Sequence, residues 1–136
     1  MKELKIEART EQLPQVLAFV DGALEEAGCG MKAQMQIDVS VEEIFVNIAH
    51  YAYAPETGEV MIRLLLDEEE RLFTIIFTDR GIPFDPLQRS EPDVTLKAEE
   101  REIGGLGILM VKKSMDEVLY SYEDGQNILT LKKRIS

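Results

Sequence analysis

Apolar and polar positions alternate at the start of the chain, where Leu4, Ile6 and Ala8 fall between Glu3, Lys5, Glu7 and Arg9. A period of two predicts a strand with one buried face. The spacing then becomes helical: Leu13, Val16, Leu17, Val20, Leu24 and Ala27 follow Thr10, a candidate N-cap, with Pro14 near the start and Gly28 past the end. Proline is tolerated in a first helical turn and glycine closes a last one. A second helix is expected over about 31–53, with Val41, Ile44, Phe45, Ile48 and Ala52 on one stripe, and it must stop before Pro55. Segments 59–67 and 71–79 read as an antiparallel hairpin around Glu68-Glu69-Glu70.

From residue 80 to 103 the periodicity disappears and prolines recur at 83, 86 and 92. A loop of that length in a compact domain usually serves as a lid or binding loop. A short helix over about 107–115 and a final hairpin, 117–122 and 127–135 around Asp124-Gly125, complete the pattern. Two or three helices and about five mostly antiparallel strands predict an α/β (α+β) two-layer sandwich. Its mixed sheet carries the helices on one face, and the other face is left to solvent or a partner.

The 136 residues fit one domain, 1–136, and a chain of this size buries roughly 68% of its unfolded surface. Apolar residues make up 45% and charged ones 30%, so a packed core is expected rather than disorder. The net charge of −11 opposes nucleic acid and anionic membrane, whose affinity comes from basic residues. The apolar run over 60–66 is interrupted by Arg63, and Met1-Lys2-Glu3 leads into no signal core, so a cytoplasmic protein is expected. Cys29 is the one cysteine and His50 the one histidine, which excludes an internal disulfide and a Cys/His zinc cluster.

Three short patterns carry candidate chemistry. On the second helix Glu43, Asn47 and His50 share a stripe nearly opposite the apolar one. Such a stripe is either a solvated face or a carboxylate and carboxamide set to hold magnesium or orient a hydroxyl; Val39 and Val46 on the same side predict a partly covered face. Asp79-Arg80-Gly81 follows an apolar strand. It is either a plain turn or an acceptor for an exocyclic amine, with Gly81 letting the backbone approach a flat ring such as adenine. Gly104-Gly105-Leu106-Gly107 precedes the apolar-spaced Ile108, Val111 and Met115. It is either a flexible loop or a phosphate cradle at a helix N-terminus, and it matches neither the Walker A nor the dinucleotide pattern.

Taken in order, Glu43-x-x-x-Asn47, Asp79-x-Gly81 and Gly104-Gly105-Leu106-Gly107 resemble the signature boxes of the Bergerat-fold ATPases shared by gyrases, heat-shock chaperones, histidine kinases and mismatch-repair proteins. The short chain and the stretch from Asp79 through Phe84-Asp85-Pro86 to Ile108 look most like the bacterial anti-sigma-factor serine/threonine kinases. That resemblance implies ATP and Mg2+ as cofactors. It implies that Asp79 binds the adenine amino group, that Asn47 coordinates magnesium, and that the N–H groups of Gly104, Gly105, Leu106 and Gly107 hold the phosphates. Gly81 would lie against the base and Glu43 would be the catalytic base. Arg101 would be the lid cation, with Lys97 as second choice. It also implies phosphorylation of an anti-anti-sigma partner and sequestration of a sigma factor by a homodimer. The chain departs from the pattern at Pro83, where a second glycine is usual, and in the acidic residues Glu91, Asp93, Glu99 and Glu100 of the lid. The competing reading is a nucleotide-gated protein-binding module without transfer activity. A histidine-kinase fragment is disfavoured because His50 lies within the ATP-site helix.

Overall fold

The alternating segments pair as their patterns dictate. In the computed structural model, which describes residues 1–88 and 105–136, they become β1 (Lys2–Glu7), β2 (Glu59–Asp67), β3 (Leu72–Asp79), β4 (Glu117–Glu123) and β5 (Gln126–Arg134). The sheet order is β1-β2-β3-β5-β4. Every pairing is antiparallel, so the parallel component expected of a mixed sheet is absent among the described residues. One face of the sheet presents Ile6, Val60, Ile62, Leu64, Phe73, Ile75, Phe77, Leu129 and Leu131, all buried, to a layer of three helices. Those are α1 (Leu13–Glu26), α2 (Met31–Tyr51) and α3 (Gly105–Ser114).

The helices contribute Val16, Val20, Leu24, Ile37, Val41, Ile44, Phe45, Ile108 and Val111 to the same core. Each fully buried side chain of this kind stabilises the fold by about 1.5–3 kcal/mol. Helix α1 closes in a Schellman motif. Gly28 takes φ +72°, its N–H reaches Glu25 O at 3.1 Å, and the Cys29 N–H reaches Leu24 O at 3.0 Å. The β4–β5 hairpin turns through Asp124 (φ 52°) and Gly125 (φ 76°), the left-handed pair of a type I′ turn.

Four expectations are corrected. Thr10 does not cap α1: residues Thr10–Gln12 form a separate 3₁₀ turn, its hydroxyl goes to Glu11 Oε1 at 2.9 Å, and the helix starts behind Gln12 without a side-chain cap. Helix α2 ends at Tyr51 rather than 53, and Tyr53 takes up a role beyond the helix. Strand β3 starts at Leu72, because Arg71 sits at φ 55° in the turn. Helix α3 begins two residues earlier than expected and stops at Ser114. Among the described residues no helix is long and apolar enough to cross a membrane.

Candidate functional site

Helix α2 touches both ends of the site. At its C-terminal end the Ala52 carbonyl accepts the Ile82 N–H at 2.9 Å, and a Cβ on Gly81 would lie 2.2 Å from that same oxygen. The chain leaving β3 can come this close only where it has no side chain. Near the middle of α2, a Cβ on Gly107 of α3 would lie 2.1 Å from Glu43 Cδ. Residues 43 and 52 stand about 14 Å apart along the helix axis, at about 1.5 Å per residue. Asn47 lies between them, so α2 is the rail along which the three sequence patterns are aligned.

Between these contacts opens a pocket. Ile44 and Ile48 of α2, Ala52 capping it, Phe77 of β3 and Leu129 of β5 give it apolar walls, and Asn47, Asp79, Tyr120 and Asn127 supply the polar groups. A few convergent polar atoms on an apolar surface are what a small planar ligand requires for orientation. Phe84 and Pro86 form the remaining wall. The Phe84 ring stacks on Tyr51 with centroids 5.6 Å apart and planes at 23°.

Asp79 ends β3 and is 5% exposed. Its Oδ1 accepts the Gly81 N–H at 2.9 Å and Asn127 Nδ2 at 3.0 Å. No described residue donates to Oδ2, which leaves that oxygen as the acceptor available to a ligand. Burial pushes the carboxyl above its ordinary value, and the hydrogen bonds from Asn127 and Gly81 pull it part of the way back. The segment after Asp79 is also held from the other side: Tyr53 Oη accepts the Arg80 N–H at 2.8 Å and donates to Glu59 O at 2.6 Å.

Asn47 is 4% exposed and donates through Nδ2 to Glu43 Oε1 at 3.1 Å. Its Oδ1 is buried and has no hydrogen-bond partner among the described residues. A native protein rarely leaves a carbonyl oxygen in that state unless something else takes it up. In the same neighbourhood, the first turn of α3 holds N–H groups with no intrahelical partner, a setting that favours an anion.

The structure therefore gathers Glu43, Asn47, Asp79, Gly81 and Gly107. Gly105 and Leu106 lie in the first turn of α3, whereas Gly104, Arg101 and Lys97 lie outside the described residues. His50 does not join the group: it is exposed. Val39 does not cover the polar face of α2, being 44% exposed, although Val46 is half-buried. The pattern reading missed Asn127, Tyr120 and Tyr53. For Asn127 a signal existed, because it alternates with Leu129 and Leu131 on the inward face of β5, where a polar residue must have a partner.

Comparison with known proteins places the whole chain. Serine-protein kinase RsbW of Listeria monocytogenes serovar 1/2a is 27% identical over 134 residues, 95% of this chain and 84% of the relative. Its counterpart in Bacillus cereus is 25% identical over 134 residues, covering 96% and 82%. The crystal structure of the RsbU and RsbW domains of Rv1364c from Mycobacterium tuberculosis superposes with a TM-score of 0.68 at 18% identity, over 99% of this chain. This chain spans 33% of that longer one. Acinetobacter baumannii histidine kinase AdeS gives a TM-score of 0.57 at 12% identity, over 100% of this chain and 70% of its own. At these identities the two structures speak for the fold. The sequence profile described as the histidine kinase-like ATPase domain matches residues 6–133, and the chain belongs to that family, whose members are ATP-using domains.

Proposed function

We propose that this chain is an ATP-dependent protein serine/threonine kinase that phosphorylates an anti-anti-sigma partner and, as a homodimer in the cytoplasm, sequesters a sigma factor. The observation that carries the reading is the alignment along α2 of an amine acceptor at Asp79, an orphaned buried oxygen at Asn47, a carboxylate at Glu43 and the glycine turn of α3. The kinase relatives support the activity assigned to this site, and the anti-sigma role follows the resemblance of the three signature boxes.

In this reading Asp79 Oδ2 accepts the adenine amino group and Gly81 keeps the backbone close to the ring. The N–H groups from Gly104 to Gly107 take the phosphates, with Leu106 contributing its backbone. Magnesium demands oxygen ligands and commonly takes one or two from protein, with the rest from phosphates and water. The unsatisfied Asn47 Oδ1 fits that demand, and the ion would neutralise charge on the phosphates. Glu43 stands on the same helix and would receive the proton of the attacking serine or threonine hydroxyl. Arg101, chosen from sequence, would be the cation that the lid brings to the transferred group.

The test is incubation with labelled ATP, magnesium and the cognate partner, together with the Glu43→Gln variant. Label should pass to the partner, and the variant should lose transfer while keeping nucleotide binding. Undiminished transfer by the variant removes Glu43 as the base. MgATP binding without any labelled partner would mark the chain as a nucleotide-gated binding module.

A further inference from the structure

Asn127 stands opposite Asp79 in the β3–β5 register and is 6% exposed. Its Nδ2 donates to Asp79 Oδ1 at 3.0 Å and to Ile82 O at 2.8 Å, with Gly81 O farther away at 3.5 Å. Its Oδ1 accepts the Phe84 N–H at 3.1 Å and the Tyr120 hydroxyl. A carboxamide offers two donor hydrogens and two acceptor lone pairs, and here all four are engaged within the protein. Although Asn127 lines the pocket, it has no hydrogen bond left to give a ligand.

What the four bonds accomplish is specific. They fix one oxygen of Asp79, the backbone of the segment behind it, and Phe84, which forms the facing wall of the pocket. With Oδ1 saturated by Asn127 and Gly81, the carboxylate can neither rotate freely nor turn its other edge inward. Only Oδ2 remains, and it presents acceptor character alone. A purine with an amine at its six-position donates to that oxygen, whereas one with a carbonyl there meets it with a second acceptor and leaves both unpaired.

Resting on the nucleotide reading above, we propose that Asn127 is the positioning residue of base recognition, which sets the preference for a six-amino over a six-oxo purine by holding Asp79 as a pure acceptor. Without the Asn127 hydrogen bond the Asp79 carboxyl would be easier to protonate, and a protonated carboxyl can donate to a carbonyl. Tyr53 beyond α2 is a titratable group on which the Asp79 charge acts, with Arg80 and Glu59 acting on Tyr53 as well. Tyr120 of β4 is another, with Asp85 of the loop also acting on Tyr120.

The experiment compares ATP with ITP, which has a carbonyl at the six-position and a proton on N1, in the wild type, Asn127→Leu and Asn127→Asp. The wild type should favour ATP by at least about tenfold, and Asn127→Leu should shrink that ratio at least about fivefold, since an unpaired buried acceptor is what enforces it. A role confined to packing would weaken both nucleotides equally, and an unchanged ratio in Asn127→Leu overturns the proposal. The aspartate variant supplies a second readout and decides the matter if the leucine variant fails to fold. Two facing carboxyls must share a proton, so its ATP affinity relative to wild type should be poor near pH 8 and recover toward about pH 6. A deficit that does not change with pH counts against the proposal. Absence of ATP binding by the wild type would instead sink the nucleotide reading itself.

Discussion

Helix α3 approaches α2 so closely at Gly107 that a Cβ there would lie 2.1 Å from Cδ of Glu43 and 2.2 Å from its Oε2. The atoms in the way belong to the far end of a flexible side chain, so Gly107→Ala should push the Glu43 carboxylate aside instead of unfolding the helix. Alanine also favours a helix interior by up to about 1 kcal/mol over glycine, which offsets part of the strain. The expected result is a melting temperature within about 4 °C of wild type. ATP affinity should change by only a few fold, and phosphoryl transfer should fall at least about tenfold through loss of a placed base. Single-turnover transfer beside a thermal-shift titration checks this, and full transfer would detach the placement of Glu43 from the chemistry.

Gly81→Ala should behave differently, because the added Cβ would lie 2.2 Å from the Ala52 carbonyl oxygen and 2.5 Å from its carbon. Backbone in a helix end cannot retreat, and the same oxygen already accepts the Ile82 N–H. Overpacking of this kind costs about 1–3 kcal/mol. Denaturant midpoints of the ligand-free protein should reveal the loss, and nucleotide affinity should fall with it because Gly81 also donates to Asp79 Oδ1. A fully stable variant would mean that the chain can leave β3 by another path.

These contrasts show where pattern reading succeeds and where it stops. The order of strands and helices was legible because alternation and helical spacing report which side chains face the core. Gly28 and Asp124-Gly125 were legible because their conformations are local and left-handed. Thr10 misled because a 3₁₀ turn, also a local solution, competes with a helix cap. The convergence of Glu43, Asn47 and Asp79 could be suspected from order along the chain, but its geometry depends on the packing of α3 against α2. Asn127 and Tyr53 escaped notice because their partners lie far off in sequence: Asn127 reaches Asp79 across a strand pairing, and Tyr53, just past α2, reaches Arg80, just past β3. Neither bond leaves a trace in local periodicity.

Asn47 should show a conflict between stability and function. Its Oδ1 is buried without a partner among the described residues, a state that costs about 1–3 kcal/mol, and Asn47→Leu removes the cost along with the group. The ligand-free variant should therefore be at least as stable as wild type, despite losing the 3.1 Å bond to Glu43 Oε1. Stabilisation by MgATP should disappear, whereas wild type gains about 2.7 kcal/mol when ligand stands at about 100 times its dissociation constant. Thermal melts with and without MgATP make both comparisons. Retained stabilisation of the variant would exclude Asn47 as the oxygen that meets the metal.

The pH dependence of folding should be dominated by a carboxylate away from the pocket. Asp38 of α2 faces Asp21 and Glu25 of α1, and its carboxyl is pushed up to about 7. Burial is the first cause, followed by the hydrogen bond and negative charge of Asp21 and the charge of Glu25. An unfolded aspartate titrates near about 3.9, so the native state holds this proton more tightly than the unfolded chain. The resulting contribution to stability is complete below about pH 4 and is lost as pH rises through about 7. Asp38 is partly exposed, and solvent screening reduces the effect to the order of 1 kcal/mol. Asp38→Asn removes the ionisation. The variant should match wild type near about pH 4 and exceed it by about that amount near about pH 8, as read from urea midpoints. Equal midpoints at the alkaline end would show that the native protein keeps Asp38 ionised at no cost, with α1 and α2 separating enough to let water reach it.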